Sequence, residues 1–245
     1  MDEYVFDYNE YKKRTKNTIK FSFSLTIFFV IILVGLCAFL GQSKVSYNEY
    51  NFVEIGQFAT YSQASKTAQN LAEQTGAGFV YFDNCYHVFA GFYTSKNDAE
   101  NVSKNIEEFY PNAAVTTISA TKFMPHKSYT KTQNTAIEKL IETTENCIET
   151  LSKLSIEIDK NNISKLNLDI KVEQVKDDFS AAYSSFKNCF NKQLTGRFDI
   201  VNSLNQINNS LSTLTTTSIQ TLQQTIKYEL INVVINHTRF LNSIA

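Results

Sequence analysis

An apolar run near the N-terminus constrains this chain more than any other feature of its sequence. Residues 21–40 read FSFSLTIFFVIILVGLCAFL and contain no charged side chain. A helix of about 20 residues, rising about 1.5 Å per residue, crosses a hydrocarbon core of about 30 Å. A cleaved signal peptide is the alternative, but its apolar core is usually about 7 to 15 residues long and ends at small residues. We therefore predict an uncleaved transmembrane helix over residues 21–41.

The charges on either side of this run predict its orientation. Cytoplasmic flanks of membrane helices carry an excess of Lys and Arg. The sequence therefore predicts a single-pass membrane protein, with residues 1–20 as a cytoplasmic tail and the bulk of the chain outside the cytoplasm. The basic residues that precede the run are Lys12, Lys13, Arg14, Lys16 and Lys20, and only Lys44 follows it closely.

The overall charge and the cysteines exclude several classes of function. A formal net charge of −1 argues against a nucleic-acid partner, because a protein that neutralises phosphates carries a clear basic excess. The cysteines form no CxxC pair and no Cys/His set with metal-ligand spacing, so we predict no metal and no cofactor. Cys147 and Cys189 either pair in an oxidising compartment or serve as two small buried side chains.

Between residues 51 and 119 the hydrophobic pattern changes period repeatedly. Alternation with period two predicts strands, and apolar residues three or four apart predict helices. The predicted order is β-α-β-β-α-β, which many unrelated small domains share. The predicted strands lie near residues 52–58, 79–82, 86–90 and 114–118, and the predicted helices near 62–75 and 95–109.

Two segments carry a resemblance to a known family. Residues 53–58, VEIGQF, resemble the first-strand signature of the SPOR family, and residues 86–93, YHVFAGFY, resemble its third strand and turn. The resemblance implies a four-stranded antiparallel sheet with both helices on one face. It implies that the other face binds glycan strands of peptidoglycan from which the stem peptides have been removed. The layout also resembles that of a sporulation protein, which implies a bacterial cell membrane and a place at septa.

The resemblance, with strand alternation, also implies which side chains would bind the glycan. Phe89 and Tyr81 would supply rings, and Gln57, Glu54 and His87 would supply polar contacts. Phe89 is either exposed, or buried under a loop or against the C-terminal region, and Tyr81 either faces outward or belongs to the inward set. Glu54 stands where the family usually has Gln, so this position keeps its acceptors and loses the amide donors.

Cys85 and His87 are two residues apart in a predicted strand. Residues i and i+2 share a face of a strand, which by itself does not make a catalytic pair, and no third orienting residue is evident in the sequence. We therefore predict no catalytic residues and a protein that is not an enzyme.

The second half of the chain is predicted to be helical. A linker over residues 120–130, containing Pro125, precedes a helical domain over residues 131–245. Apolar residues recur there with three- and four-residue spacing, which predicts a three-helix antiparallel bundle or a coiled-coil hairpin. Such a region dimerises, binds another protein or acts as a spacer, and we favour a protein partner.

These predictions combine into one fold class and one leading function. The fold class is α+β: a transmembrane helix, then a SPOR-like domain over residues 51–119, then an all-α region. The function is binding of denuded peptidoglycan glycan, with a role in septal localisation during sporulation or cell division. The alternative is a membrane scaffold that does not bind glycan, or an accessory subunit of a cell-wall enzyme complex, acting through its C-terminal helices.

Overall fold

A computed structural model describes residues 47–74, 76–190, 197–214 and 219–244 of the chain. These residues belong to one compact unit, Ser46–Ala245. Its main hydrophobic core contains side chains of the sheet together with side chains of the C-terminal helices. The two parts that the sequence separates at residues 120–130 are therefore in contact.

The first part of the unit contains a four-stranded antiparallel sheet. The strand order across the sheet is β2-β3-β1-β4. The α+β class, the antiparallel sheet and the β-α-β-β-α-β order along the chain agree with the prediction. The strands are β1 (Tyr47–Phe58), β2 (Phe79–Asp83), β3 (Cys85–Tyr93) and β4 (Ala114–Thr121).

Two helices connect these strands, α1 (Tyr61–Glu73) and α2 (Lys96–Ile106). Each begins after a residue whose hydroxyl oxygen accepts a backbone N–H of the first turn, Thr60 for α1 and Ser95 for α2. Such caps satisfy N–H groups that have no partner within the helix. Both helices pack on the same face of the sheet, where apolar side chains of α1 contact Ile55 and Val88.

An irregularity in the pairing of β1 with β3 decides which side chains share the other face. Glu54 pairs with Phe89 and Gln57 pairs with His87, and the register shifts between Val53 and Gly56. An extra residue on one strand interrupts strict alternation. Glu54 and Gln57 therefore lie on the same face as Phe89 and His87, although they are three residues apart in β1.

The second part of the chain is helical, as predicted, but its helices are divided differently. The spacing predicts a bundle of three helices or a coiled-coil hairpin, whereas the described residues of this part contain four helices, because one helix ends at Thr213 and the next begins at Ile219. The sequence between them is rich in Ser and Thr, which are weaker helix formers than Ala, Leu or Lys. The helices are α3 (Lys131–Asp159), α4 (Lys165–Phe190), α5 (Phe198–Thr213) and α6 (Ile219–Ile244).

Helix α6 lies between the sheet and the other C-terminal helices. It packs against α3 and α5 and also against β2, β3 and β4. Residues 233–238 are all buried, and six consecutive residues exceed one helical turn, so this part of α6 is covered on every side. Its contacts with the sheet include Tyr228 against Phe79, with ring centroids 4.8 Å apart.

The structure corrects the predicted fold class and localisation. Within the described ranges, every helix is too short or too polar to cross a membrane, and the first element there is strand β1. The predicted fold class that begins with a transmembrane helix, and the localisation as a single-pass protein of the bacterial cell membrane, are therefore wrong for this part of the chain. The predicted tail and span, residues 1–20 and 21–41, lie outside the described residues.

Candidate functional site at one end of the sheet

All five side chains predicted to bind glycan lie on the sheet face opposite α1 and α2, which we call the α6 face. They differ in exposure. Glu54 and Phe89 are buried, with 3% and 0% of their surface exposed, whereas Tyr81 and His87 are half-buried and Gln57 is exposed. The structure therefore gathers the five residues but leaves only three of them in reach of solvent.

The centre of the α6 face is a packed aromatic layer. Phe89 stacks on Phe52 with ring centroids 4.9 Å apart and on Tyr81 at 5.9 Å. Both Phe52 and Phe89 belong to the core that includes the C-terminal helices. The expectation of a free face is therefore wrong at its centre, because α6 covers it. Of the two alternatives for Phe89, burial against the C-terminal region is the one that the structure shows.

A row of polar side chains lies at the end of this face nearest the β2–β3 turn. His87 Nδ1 is 3.1 Å from Glu54 Oε1, and His87 Nε2 is 3.4 Å from Cys85 Sγ. The register explains this proximity, since Cys85 and His87 share a face of β3 and Glu54 lies across from Phe89 in β1. We call Glu54, His87 and Cys85 the polar row.

The buried end of the polar row is held by two strands. The hydroxyl of Thr116 in β4 donates to Glu54 Oε2, so both oxygens of this carboxylate have a partner. A carboxylate only accepts, so His87 Nδ1 carries the hydrogen that it donates to Glu54, and Nε2 is then free to accept from the thiol in the neutral ring. The network thus assigns the tautomer of His87.

The structure places beside Cys85 and His87 an orienting residue that is not evident in the sequence. This residue is Glu54, 33 residues before His87 in the chain, and the absence of catalytic residues stays a prediction. The identity of these two side chains and their shared face were readable from the sequence. The contact with Glu54 was not, because it depends on the register between β1 and β3.

Two further side chains border the polar row. Cys85 Sγ lies 3.8 Å from Gln57 Oε1, and the rings of Tyr81 and His87 have centroids 6.0 Å apart. The guanidinium of Arg239, from α6, lies 5.8 Å from the centre of the Tyr81 ring, and its side chain is exposed. No sequence pattern indicates Arg239, because it is more than 140 residues from Tyr81, whose ring it meets.

A separate groove of about 490 Å³ lies between α2, β3 and the C-terminal helices. Its lining combines the Tyr93 ring with Asp98, Asp159 and Lys227, and Lys227 Nζ is 2.9 Å from Asp159 Oδ1. Burial, followed by the nearby carboxylates of Asp159 and Asp98, raises the pKa of Tyr93 to about 12. None of the residues predicted to bind glycan lines this groove.

Neither a metal site nor a similarity to known proteins assigns a function to the described residues. Across the residues that the structure describes, no group of three or more His, Cys, Asp or Glu side chains is arranged to hold a metal ion. Comparison with known protein families, with curated proteins and with solved structures finds no match to this chain. The resemblance to the SPOR family therefore rests on residues 53–58 and 86–93 and on the order of elements, and glycan binding stays a prediction.

Proposed function

We propose that this protein binds peptidoglycan glycan strands that lack stem peptides, and that it does so at the open end of the α6 face. The observation that carries the proposal is the grouping of Gln57, Tyr81, His87 and Arg239 around one end of the sheet, where all four keep solvent access. A septal role in sporulation or cell division, predicted from the resemblance, would follow from such binding.

The chemistry of these side chains suits a denuded glycan. An aromatic ring such as that of Tyr81 packs on the apolar face of a sugar, and the amide of Gln57 both donates to and accepts from hydroxyl and acetamido groups. Removal of a stem peptide leaves a free carboxylate on the lactyl group of the sugar. The exposed guanidinium of Arg239 beside Tyr81 would bind that carboxylate.

A pull-down measures this preference directly. Residues 46–245, which form one compact unit, are incubated with peptidoglycan that has or has not been treated with an amidase. We expect retention on the treated material and little on the intact material, because only the first exposes the lactyl carboxylate. Failure to bind either material would contradict the proposal.

The chain offers a matched pair of arginines as a control. Arg239 lies beside the Tyr81 ring at 5.8 Å, and Arg197 lies beside the Tyr129 ring at 5.9 Å, in the helical part. Arg239→Gln is expected to weaken binding to treated peptidoglycan about tenfold, the effect of losing one charged hydrogen bond. Arg197→Gln removes the same charge elsewhere and is expected to leave binding unchanged.

A variant of Glu54 tests whether residue 54 contacts the glycan. Because Glu54 contacts His87 and Thr116 rather than the surface, its difference from the usual Gln no longer weighs against glycan binding. We expect Glu54→Gln to leave the affinity for treated peptidoglycan unchanged. A marked gain would show instead that position 54 reaches the ligand.

A second candidate function is that of a protein scaffold or an accessory subunit of a cell-wall enzyme complex. The complete burial of Phe89 favours it, since α6 covers the centre of the face that would hold a long glycan strand. The C-terminal helices would then contact the protein partner. Absence of retention on both forms of peptidoglycan, together with a stable fold, would favour this second function over the first.

A further inference from the structure

The polar row has the geometry of a nucleophile, a base and an orienting acid. We propose that Cys85 is the nucleophile of an acyl-transfer site and that His87 is its general base. The substrate class is a small ester or amide that reaches the exposed end of the sheet. This activity goes beyond glycan binding and does not depend on it.

The thiol of Cys85 is in contact with the imidazole of His87. Sγ of Cys85 is 3.4 Å from Nε2 of His87, a hydrogen-bond distance for sulfur. A nucleophile and a base within such reach, with the base held by a third group, are the diagnostic arrangement of nucleophilic catalysis. The imidazole nitrogen that faces the thiol is the one free to accept its proton.

Glu54 is placed to orient the His87 ring. Its side chain is only 5% exposed and lies 3.1 Å from His87 Nδ1. Burial of a carboxylate is costly unless it is hydrogen-bonded, and here the hydroxyl of Thr116 supplies a further bond. Glu54 is thus a positioning residue, which holds the ring and stabilises the imidazolium that forms when the thiol proton is taken.

Gln57 is the candidate hydrogen-bond donor to the negative charge that develops on the substrate oxygen. The amide of Gln57 lies beside the nucleophile, where its Oε1 accepts from Cys85 Sγ at 3.8 Å. The oxygen and nitrogen of a Gln amide are assigned from hydrogen bonds and exchange places by a simple rotation. With its NH₂ group turned toward Cys85, Gln57 would donate to the oxyanion of a tetrahedral intermediate, a role that Gln side chains fill in acyl transfer.

A substrate can reach the Cys85 thiol from the side of the β2–β3 turn. Cys85 follows the exposed turn residues Asp83 and Asn84 and is itself half-buried, and Gln57 is exposed. Asn84 adopts a φ of 59°, a left-handed conformation that Asn tolerates in tight turns. An acyl group that approaches from this turn meets the thiol before it meets the packed aromatic layer.

The reaction balances without any added oxidant or metal. Sγ attacks the carbonyl carbon, its proton passes to His87 Nε2, and the S–C bond forms. The bond from carbon to the leaving group then breaks, and the leaving group takes the proton from His87. Water attacks the resulting thioester with His87 as its base, the C–S bond breaks, and the thiol recovers its proton as the carboxylic acid leaves.

The cysteines themselves provide internal controls for a labelling experiment. Cys189 is half-buried like Cys85, whereas Cys147 is buried, and burial followed by the Asp178 carboxylate raises the pKa of the Cys147 thiol to about 12. The full chain is treated with iodoacetamide at pH 7, and each cysteine is followed by mass spectrometry of its peptide. We expect Cys85 to react at least about tenfold faster than Cys189, as a base-activated thiol does.

Variants then identify the base. His87→Ala is expected to slow labelling of Cys85 about tenfold and to leave Cys189 unchanged. Equal rates at Cys85 and Cys189 in the unmodified protein would overturn the proposal without any variant. An unchanged Cys85 rate in folded His87→Ala would overturn it as well.

Turnover of p-nitrophenyl acetate tests catalysis itself. We expect repeated turnover by the full chain, loss of turnover in Cys85→Ser, and no effect of Cys189→Ser. Glu54→Gln is expected to lower kcat and to change the pH dependence of kcat, whereas a loss of folded protein would lower the apparent kcat at unchanged KM without changing the shape of the pH profile. An equal rate in Cys85→Ser would overturn the assignment of the nucleophile, and release of a single equivalent of product would overturn the proposed hydrolysis of the thioester.

Discussion

Two histidines, one on the α6 face of the sheet and one on helix α6 itself, have opposite surroundings. His87 lies near the β2–β3 turn, its side chain is 14% exposed, and both ring nitrogens contact a polar partner. His237, on α6, is completely buried, and within the described residues neither of its ring nitrogens has a hydrogen-bond partner. Its closest ion-pair candidate is Glu145, whose Oε1 is 3.9 Å from Nε2.

The difference teaches where this face can perform chemistry. His237 meets the edge of the Tyr50 ring, with centroids 6.2 Å apart, and serves there as a packing residue. His87 is held by Glu54 and faces a thiol, so its nitrogens are oriented and one of them can accept a proton. The same residue type is thus a packing residue within α6 and, in our proposal, a functional residue at the end of the sheet face that α6 leaves open.

The largest expected effect is at Phe89, which lies on the α6 face between His87 and the region that His237 contacts. Its ring is fully buried against Phe52, so Phe89→Ala leaves a cavity. We expect a loss of about 3 to 5 kcal/mol in the free energy of unfolding, measured by urea denaturation. Phe109→Ala removes a ring that is 73% exposed and serves as the control. A loss of glycan binding with unchanged stability would instead make Phe89 a surface contact.

A second test measures how the free energy of unfolding depends on pH, through Tyr50, which lies against His237 of α6. Burial, followed by the Glu145 carboxylate, raises the pKa of Tyr50 above its ordinary value of 10.0. Since the folded-state pKa is the higher one, the contribution of this group is fully present below pH 10 and is lost as pH rises beyond it. The loss is at most about 1.4 kcal/mol per pH unit.

Tyr50→Phe is the matched variant for that measurement. Removal of the hydroxyl removes the titration, so the free energy of unfolding between pH 10 and 11 should fall less steeply than in the unmodified protein. Burial also raises the pKa values of Tyr93, Tyr183, Tyr228 and Cys147, and these groups titrate in both proteins and contribute the remaining slope. Equal slopes in the two proteins would contradict the burial of the Tyr50 hydroxyl.

The smallest expected effect is at His237. A buried polar group without a partner is costly, and its replacement by an apolar side chain of comparable size is close to neutral or stabilising. We expect His237→Leu to leave the free energy of unfolding unchanged or to raise it by about 1 kcal/mol. His87→Leu, which strands the Glu54 carboxylate, should lower it by about 1 to 3 kcal/mol. A comparable loss at His237 would reveal a partner for that ring.

Local sequence patterns predicted most of the secondary structure in the sheet part of the chain. Period-two alternation placed Phe89 and His87 on one face of β3, and turn and cap residues such as Ser95 placed the other element boundaries within about three residues, but β1 begins at Tyr47 rather than near residue 52. The candidate site was only partly predictable. Its members were named for glycan contact, but the pairing of Glu54 with His87 across strands depends on a register shift that alternation does not predict.

By itself, the sequence determined the α+β class of the described residues, the order of elements and the residue types at the end of the sheet. These follow from local periodicity, capping and turn chemistry, which act over a few residues. Only the tertiary structure decided that α6 covers the centre of the face and that Glu54, His87 and Cys85 stand in one row. Such contacts join residues far apart in the chain, because the apolar face of the sheet and the apolar helix α6 bury each other from water.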